Sequence, residues 1–224
     1  RAYAPLIVLV LLVAGLGAIE PSFLSFYSLS VLAGESSIIL LLATAQTLVI
    51  LLGGIDLSMA AIASLSSVLV ALALPAAGPV GAVGVLALTT TVGAAQGYVH
   101  AKAQVPSFVV TLAGMGLCSG IALFISPATV PVTAGFEAVS WLRGKLLGVP
   151  VAFIFAVSAL AVVALALRFL PIGRQIYAIG LGEPAALLSG VRVARVKIVA
   201  FALTGLFAGL AGMLLVARTR GGHP

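Results

Sequence analysis

The chain has 224 residues, of which 62% are hydrophobic and only 7% are charged. A soluble domain is roughly 45–50% apolar and about 25% charged, so this composition excludes a soluble enzyme, a disordered tail, a collagen-like fibre and a disulfide scaffold. It predicts an all-α, polytopic transmembrane helical bundle. A membrane helix needs about 20 mostly apolar residues, and the chain order below gives about seven such helices.

The basic excess, 11 Lys and Arg against 5 Asp and Glu, is better explained by membrane topology than by nucleic acid. Basic residues collect in the cytoplasmic loops of membrane proteins. With the amino terminus in the cytoplasm, seven cations fall inside and four outside. The inner set is Arg1, Lys102, Arg168, Arg174, Arg192, Arg195 and Lys197, and the outer set is Arg143, Lys145, Arg218 and Arg220. We therefore expect a multi-pass membrane protein, with the lipid bilayer as its surroundings.

Apolar runs succeed one another along the chain, separated by short polar or glycine–proline segments. They span residues 6–19, 31–52, 57–74, 80–99, 106–126, 151–170 and 196–216. Residues 74–79 predict a turn, 127–148 the longest outer loop, and 171–195 a polar inner stretch. We treat residues 1–224 as a single transmembrane domain. Because the chain starts with Arg1 rather than Met and stops just after an apolar run, we expect a fragment, truncated at both ends and chiefly at the carboxyl end.

The sequence contains no recognisable catalytic motif. There is no GxxxxGK[ST] phosphate-binding loop and no HExxH zinc motif. His100 and His223 are the only histidines, and neither has a plausible serine and acid partner, while the single Cys118 excludes disulfides and cysteine metal sites. We predict no enzyme activity, no catalytic residue, no cofactor and no metal.

A glycine break followed by an acidic residue interrupts the apolar sequence at residues 53–58 (GGIDLS). A carboxylate at membrane depth costs about 2.5–3.5 kcal/mol and usually faces protein or water. Gly53, Gly54, Asp56 and Ser58 are therefore candidates for a helix break on a solute pathway. The alternative, compatible with the first, is that Asp56 caps the helix that starts at Leu57.

Polar residues on both sides of this break form a second candidate set. They are Thr44, Gln46 and Thr47 before it, and Ser64 and Ser67 after it. These side chains predict either the polar wall of a pathway or hydrogen bonds between helices. Three GxxxG pairs, at 93/97, 116/120 and 205/209, predict helices that pack against protein.

A short helix is predicted within the polar stretch 171–195, opened by Glu183–Pro184 and closed by Ser189–Gly190. It is too short to span a membrane. It is either an amphipathic helix at the interface or a docking helix for a cytoplasmic partner. The candidate docking residues are Gly180, Glu183, Pro184, Ala185, Ala186, Leu187, Ser189 and Gly190.

Three stretches together resemble one family, the permease subunits of ribose/xylose-type ABC sugar importers. Residues 47–58 (TLVILLGGIDLS) are similar to its GGIDLS signature, residues 105–115 (VPSFVVTLAGM) to its P-x-F-[IV]-x-T-L-[GA] segment, and residues 173–197 to its cytoplasmic signature. The resemblance covers essentially the whole chain. The apolar pair Leu187–Leu188 departs from the family's pattern, because the family often has Arg or Lys at one of these positions.

The resemblance implies a transport subunit of the bacterial cytoplasmic membrane that works with other chains. Two permeases, as a homodimer or a related pair, would form the pathway for a ribose-, xylose- or galactose-like monosaccharide. A cytoplasmic ABC ATPase would dock around residues 183–190, and an extracytoplasmic binding protein would deliver the sugar. The resemblance further implies about a hundred more residues beyond Pro224.

Three other interpretations of the same residues stay open. A permease of the same superfamily could carry a nucleoside, a branched-chain amino acid or a furanosyl signal molecule. An ion-coupled secondary transporter would use Asp56 for ion binding or titration. A structural membrane subunit without transport would need neither the glycine break nor Asp56.

Overall fold

A computed structural model describes residues 4–224, and in this part of the chain the regular structure is nine α-helices with four two-residue strands. The helices are α1 (Ala4–Ile19), α2 (Phe26–Leu51), α3 (Met59–Lys102), α4 (Ser107–Ile125), α5 (Glu137–Ser140), α6 (Val151–Phe169), α7 (Pro171–Leu181), α8 (Glu183–Leu188) and α9 (Val193–Thr219). The strands are β1 (Val130–Pro131), β2 (Lys145–Leu146), β3 (Val149–Pro150) and β4 (Gly221–Gly222). Strand β1 pairs antiparallel with β4, and β2 pairs antiparallel with β3. The predicted all-α class is confirmed.

Five of these helices, α2, α3, α4, α6 and α9, are long and apolar enough to cross a membrane. Helix α1 is equally apolar, but its apolar part is shorter than 18 residues. The polytopic bundle is therefore confirmed, whereas the count of about seven membrane helices is not.

Helix α3 reverses direction at Gly78, where φ is 53° and ψ is −134°. In its first limb (59–77) the Ser66 hydroxyl donates to the Gly209 carbonyl of α9 at 2.9 Å. In its second limb (79–102) Leu86 lies beside the same Gly209. A straight helix would separate positions 66 and 86 by about 30 Å, at about 1.5 Å per residue. The turn predicted at 74–79 is therefore a tight reversal, which positive φ at a glycine permits.

Helix α9 is the centre of the bundle, because 61% of its most apolar window is buried, against 33% or less in the other candidate spans. It packs between the two limbs of α3. A side-chain carbon built on Gly93 would lie 3.0 Å from the Cα of Gly205, and one built on Gly97 would lie 2.8 Å from the Cβ of Phe201. Two of the three GxxxG pairs thus let backbones approach closely. A carbon built at Gly116 or Gly120 would meet nothing within 4 Å among the described residues.

The chain segregates its cations at two ends of the bundle. One cavity at the α8 end is lined by Gly53, His100, Ser107 and Lys197. The ends of α2 and of the second limb of α3 therefore lie there, together with the beginnings of α4 and α9. The cations of this end are Lys102, Arg168, Arg174, Arg192, Arg195 and Lys197, while Arg1 lies outside the described residues. The opposite α5 end carries Arg143, Lys145, Arg218 and Arg220, with Arg218 paired to Glu35. This is the grouping that alternation predicted.

Several boundaries differ from the sequence prediction. Helix α2 begins at Phe26, because the Ser25 hydroxyl accepts the Ser28 N–H at 3.2 Å. Helix α3 begins at Met59 rather than Leu57. Helix α7 fills much of the polar inner stretch 171–195, in which only the short helix at 183–190 was predicted, since its amphipathic face packs Ile176 and Ile179 into a small core.

We expect Gly205→Ala to destabilise the protein, because the new methyl would press on the Thr89 carbonyl of α3. Overpacking of this kind costs about 1–3 kcal/mol. The control is Gly116→Ala, which gains the same helix propensity and meets open space. Thermal unfolding in detergent should show a lower midpoint for Gly205→Ala alone, and equal midpoints would contradict the packing role.

Candidate functional site

The segment that joins α2 to α3 is extended and crosses the α8 end of the bundle. Gly53 has φ of 77°, which ends α2 without strain at glycine. After it, alternate side chains point to opposite sides, as in any extended chain. Asp56 and Ser58 are buried, whereas Ile55 is 52% and Leu57 43% exposed. The segment therefore has one polar face inside the subunit and one apolar face outside it.

Asp56 connects the start of α3 to α9 through its two carboxylate oxygens. Oδ1 accepts the Ser58 N–H at 2.8 Å and the Ser58 hydroxyl at 2.7 Å, and Oδ2 accepts the Thr204 hydroxyl of α9 at 3.2 Å. The side-chain amide of Gln96, on the second limb of α3, lies 3.0 Å from the Ser58 hydroxyl oxygen. Because Ser58 gives its only proton to Asp56, the Gln96 amide satisfies this contact when its NH₂ faces Ser58.

Two hydroxyls of α4 bind the backbone of the same segment. The Ser107 hydroxyl accepts the Ile55 N–H at 3.0 Å, and the Thr111 hydroxyl accepts the Leu57 N–H at 3.1 Å. These two residues are four apart, so they lie on one face of the first turns of α4. Non-helical backbone is tolerated in a membrane protein only where such groups are satisfied by protein or water. The segments GGIDLS and PSFVVT are thus two halves of one structure.

The geometry gives Asp56 a bridging role more than a capping one. The residue preceding α3 is Ser58, whose side chain makes no capping bond, and Asp56 accepts the N–H of Ser58 itself. The carboxylate is 5% exposed and already accepts three hydrogen bonds. The structure therefore does not place it in an open solute pathway of this subunit.

The other candidate pathway residues do not form one wall. Thr44 is buried and donates to the Leu40 carbonyl at 2.7 Å, while Thr47 is exposed and donates to the Ala43 carbonyl at 2.8 Å. Gln46 lies between them, and its buried Oε1 has no hydrogen-bond partner among the described residues. The expected polar face of α2 is therefore split between core and surface.

Ser64 and Ser67 contact the segment that follows α9. Both hydroxyls donate to the His223 carbonyl, at 2.7 and 3.1 Å, and Ser67 accepts the His223 N–H at 2.8 Å. These hydroxyls therefore form hydrogen bonds between two segments of the protein, as in the alternative to a pathway wall.

A cavity of about 260 Å³ separates the glycine break from the start of α8. Its polar lining includes His100, Ser107, Glu183 and Lys197. Lys197 is 5% exposed, and its ammonium binds Glu183 Oε2 at 2.6 Å. The ion pair fixes the amino end of α8 to α9.

Helices α7 and α8 carry the predicted docking residues. Glu183 and Gly180 contact the bundle, since Gly180 packs directly on the Leu51 carbonyl at the end of α2. Ala186 is buried in the same small core as Leu52. The remaining docking residues, Pro184, Ala185, Leu187, Ser189 and Gly190, are exposed. The candidate docking loop therefore contacts the last residue of α2, directly before the candidate helix break.

Sequence reasoning missed five residues of this site: Gln96, Ser107, Thr111, Lys197 and Thr204. Ser107 and Thr111 lie within the motif at 105–115, and their spacing of four could have indicated a common partner. Lys197 was counted only as a cation of the inner loops. No local signal identifies Gln96 as a partner of Ser58, or Thr204 as a partner of Asp56, because these contacts span 38 and 148 residues.

Comparison with known proteins agrees with the motifs. The family described as "Branched-chain amino acid transport system / permease component" matches residues 28–224. The ribose import permease of Bacillus subtilis (strain 168) is 37% identical over 98% of this chain and 70% of its own length. The D-allose transport permease of Escherichia coli K12 is 32% identical over 99% of this chain and 69% of its own length. The autoinducer 2 import permease of Escherichia coli is 30% identical over 97% and 64%.

No solved structure matches the chain significantly. The family match nevertheless covers all the contacts of Asp56 and the whole docking loop. The expected resemblance is confirmed, and with several long apolar helices the chain fits a multi-pass inner-membrane protein that is a transport component rather than an enzyme. The chain belongs to the branched-chain amino acid transport system / permease component family.

Proposed function

We propose that this chain is the permease subunit of an ATP-driven, binding-protein-dependent importer, and that it forms the pathway for a monosaccharide of the ribose, xylose or galactose type. The observation that carries the proposal is the contact between the α7–α8 loop and the end of α2, through Gly180 and the Leu51 carbonyl, directly before the helix break. This contact supports the proposal, because a loop that transmits a partner's conformational change must touch the spans that respond to it.

A sugar is the favoured cargo. Relatives named for ribose and D-allose match more closely than the relative named for a furanosyl signal, autoinducer 2. Ion-coupled transport has less support, since the Asp56 carboxylate already accepts three hydrogen bonds. An ion would have to displace those donors to bind there.

We propose seven crossings for this chain: α1, α2, the two limbs of α3, α4, α6 and α9. The reversal at Gly78 supports two crossings for α3, whose 44 residues would otherwise extend about 66 Å. The cation-rich α8 end then faces the cytoplasm and the α5 end faces outside.

The ATPase is proposed to dock on the apolar surface formed by Leu181, Leu187 and Leu188. These side chains are 92%, 63% and 90% exposed at the α8 end of the bundle, and such exposed apolar patches are typical of protein-binding surfaces. The binding protein is proposed to contact the opposite end, which carries Arg143, Lys145 and Arg220. The second permease is proposed to pair along a face that includes Ile55 and Leu57, with the pathway between the two subunits.

Uptake by the reconstituted system tests the function. The full-length permease, its ATPase and its binding protein are placed in liposomes, and uptake of labelled ribose, xylose, galactose and leucine is measured. We expect uptake of one pentose or hexose that requires internal ATP and persists when ion gradients are dissipated. Uptake driven by a sodium or proton gradient without ATP would refute the proposal.

We expect Leu188→Glu to weaken ATPase docking, because it puts a charge into an apolar contact surface. Co-purification of the ATPase should fall by about tenfold or more, for a loss of about 1.4 kcal/mol or more. Leu147→Glu is the control, since Leu147 is 93% exposed at the opposite end. Equal retention of the ATPase by both variants would move the docking site elsewhere.

We expect Asp56→Ala to impair folding and uptake, because it leaves the Ser58 and Thr204 hydroxyls without their acceptor. An unpaired buried polar group costs about 1–3 kcal/mol. Asp56→Asn should be milder: its carbonyl can accept from Ser58, and its NH₂ can donate to the Thr204 oxygen once the Thr204 hydroxyl turns its proton from residue 56 to the Phe201 carbonyl, 2.8 Å away. Glu137→Ala, at the exposed start of α5, is the control. Equal loss in the Ala and Asn variants would indicate that the negative charge itself is required.

The buried ion pair should respond asymmetrically to loss of either partner. Glu183→Gln leaves the Lys197 ammonium, 7% exposed, without a counter-charge, whereas Lys197→Met leaves a carboxylate that is 42% exposed to solvent. Thermal unfolding in detergent should therefore show a larger loss for Glu183→Gln. A larger loss for Lys197→Met would mean that the pair does not fix α8.

A further inference from the structure

Three cations surround a second cavity at the α8 end, apart from the glycine break. Lys102, Arg192 and Arg195 line a space of about 410 Å³ together with Leu187 and the first residues of α9. Within residues 4–224 the salt bridges are Lys197–Glu183 and Arg218–Glu35, so these three cations have no carboxylate partner there. Three like charges around one cavity repel one another unless an anion lies between them.

The first turn of α9 adds to this positive field. The Arg192 carbonyl accepts the N–H groups of Arg195 and Val196 at 3.0 and 3.2 Å, while the Ala194 N–H has no backbone partner among the described residues. Helix α9 has 27 residues, and the amino end of a long helix favours a negative charge. The cavity is therefore suited to a phosphate group.

An apolar groove of about 490 Å³ ends near Lys102, one of these three cations. It lies between the second limb of α3 and α4, from Val92 to Val99 on one side and from Val105 to Leu117 on the other. Val99 and Val105 stand three residues before and three after Lys102, and Val99 shares its helix face with Lys102. The groove follows α3 for about 10 Å into the span.

We propose that this is a binding site for an anionic phospholipid. Its phosphate would lie among Lys102, Arg192 and Arg195, and an acyl chain would lie in the groove between α3 and α4. A free phosphate would use only the cations, and an acidic side chain of the ATPase would not use a groove inside the span. An anionic lipid uses both, and basic pockets at the cytoplasmic ends of membrane helices bind such headgroups.

Lipid binding to the purified full-length permease tests the site. The probe is dioleoyl phosphatidylglycerol, with dioleoyl phosphatidylcholine and inorganic phosphate as comparisons, and binding is read by native mass spectrometry and by the thermal unfolding midpoint. Arg192→Gln/Arg195→Gln removes two charges from the cavity. Arg168→Gln/Arg174→Gln removes two exposed charges from the same end but outside the cavity, and it is the matched control.

We expect phosphatidylglycerol to bind and raise the midpoint, and phosphatidylcholine to do so much less. Each cation near an anionic headgroup is worth about a fivefold change in affinity, so the Arg192/Arg195 variant should bind roughly thirtyfold more weakly while the control binds normally. Ala113→Phe, which fills the groove and keeps every charge, should also weaken binding. It keeps the test decisive where removal of charges alters folding.

Three results would overturn the proposal. An equal effect of inorganic phosphate would show a site for free anions, and an equal loss in both charge variants would show attraction to the overall charge of this end. Normal lipid binding by the Arg192/Arg195 variant, with loss of ATPase co-purification, would assign the three cations to the ATPase interface.

Discussion

The structure depends on one buried carboxylate. Asp56 lies in an extended segment that breaks the helical path of the chain, and its oxygens bind groups from the start of α3 and from α9. Hydroxyls of α4 bind the backbone of the same segment. Because non-helical backbone in a membrane protein must find protein partners, these contacts fix where four spans meet. The close packing of α3 on α9 at their glycines then aligns the spans from that point toward the α5 end.

The same junction also holds the candidate docking loop. The end of α2 touches α7 at Gly180, and α8 is tied to α9 by Glu183 and Lys197. The α7–α8 loop is therefore attached to two of the spans that meet at the helix break. The apolar face of the break, Ile55 and Leu57, points away from the subunit, which fits a pathway built between two subunits rather than within one.

Composition and the succession of apolar runs along the chain were enough to predict the all-α membrane class, the order of these runs, the turn at 74–79 and the grouping of cations. Helix α7 was missed because its signal is amphipathic rather than uniformly apolar. Asp56 was identified as special, but its partners were not, since the contact with Thr204 joins residues 148 positions apart. Thr44, Gln46 and Thr47 do not share one environment for a simpler reason: residues three apart share a helix face only approximately, and burial divides them.

The hairpin of α3 also has a consequence for assembly in time. Its Gly93–Gly97 surface and the Asp56 carboxylate enter the membrane when synthesis has passed residue 102, but their partners on α9 begin at residue 193. While roughly ninety further residues are synthesised, the Gly93–Gly97 surface and the Asp56 carboxylate have no contact with α9, which is their main partner. A ribosome adds about 5–20 residues each second, so this interval lasts about 5–20 seconds. Insertion of α9 is thus the step at which the earlier spans become a bundle.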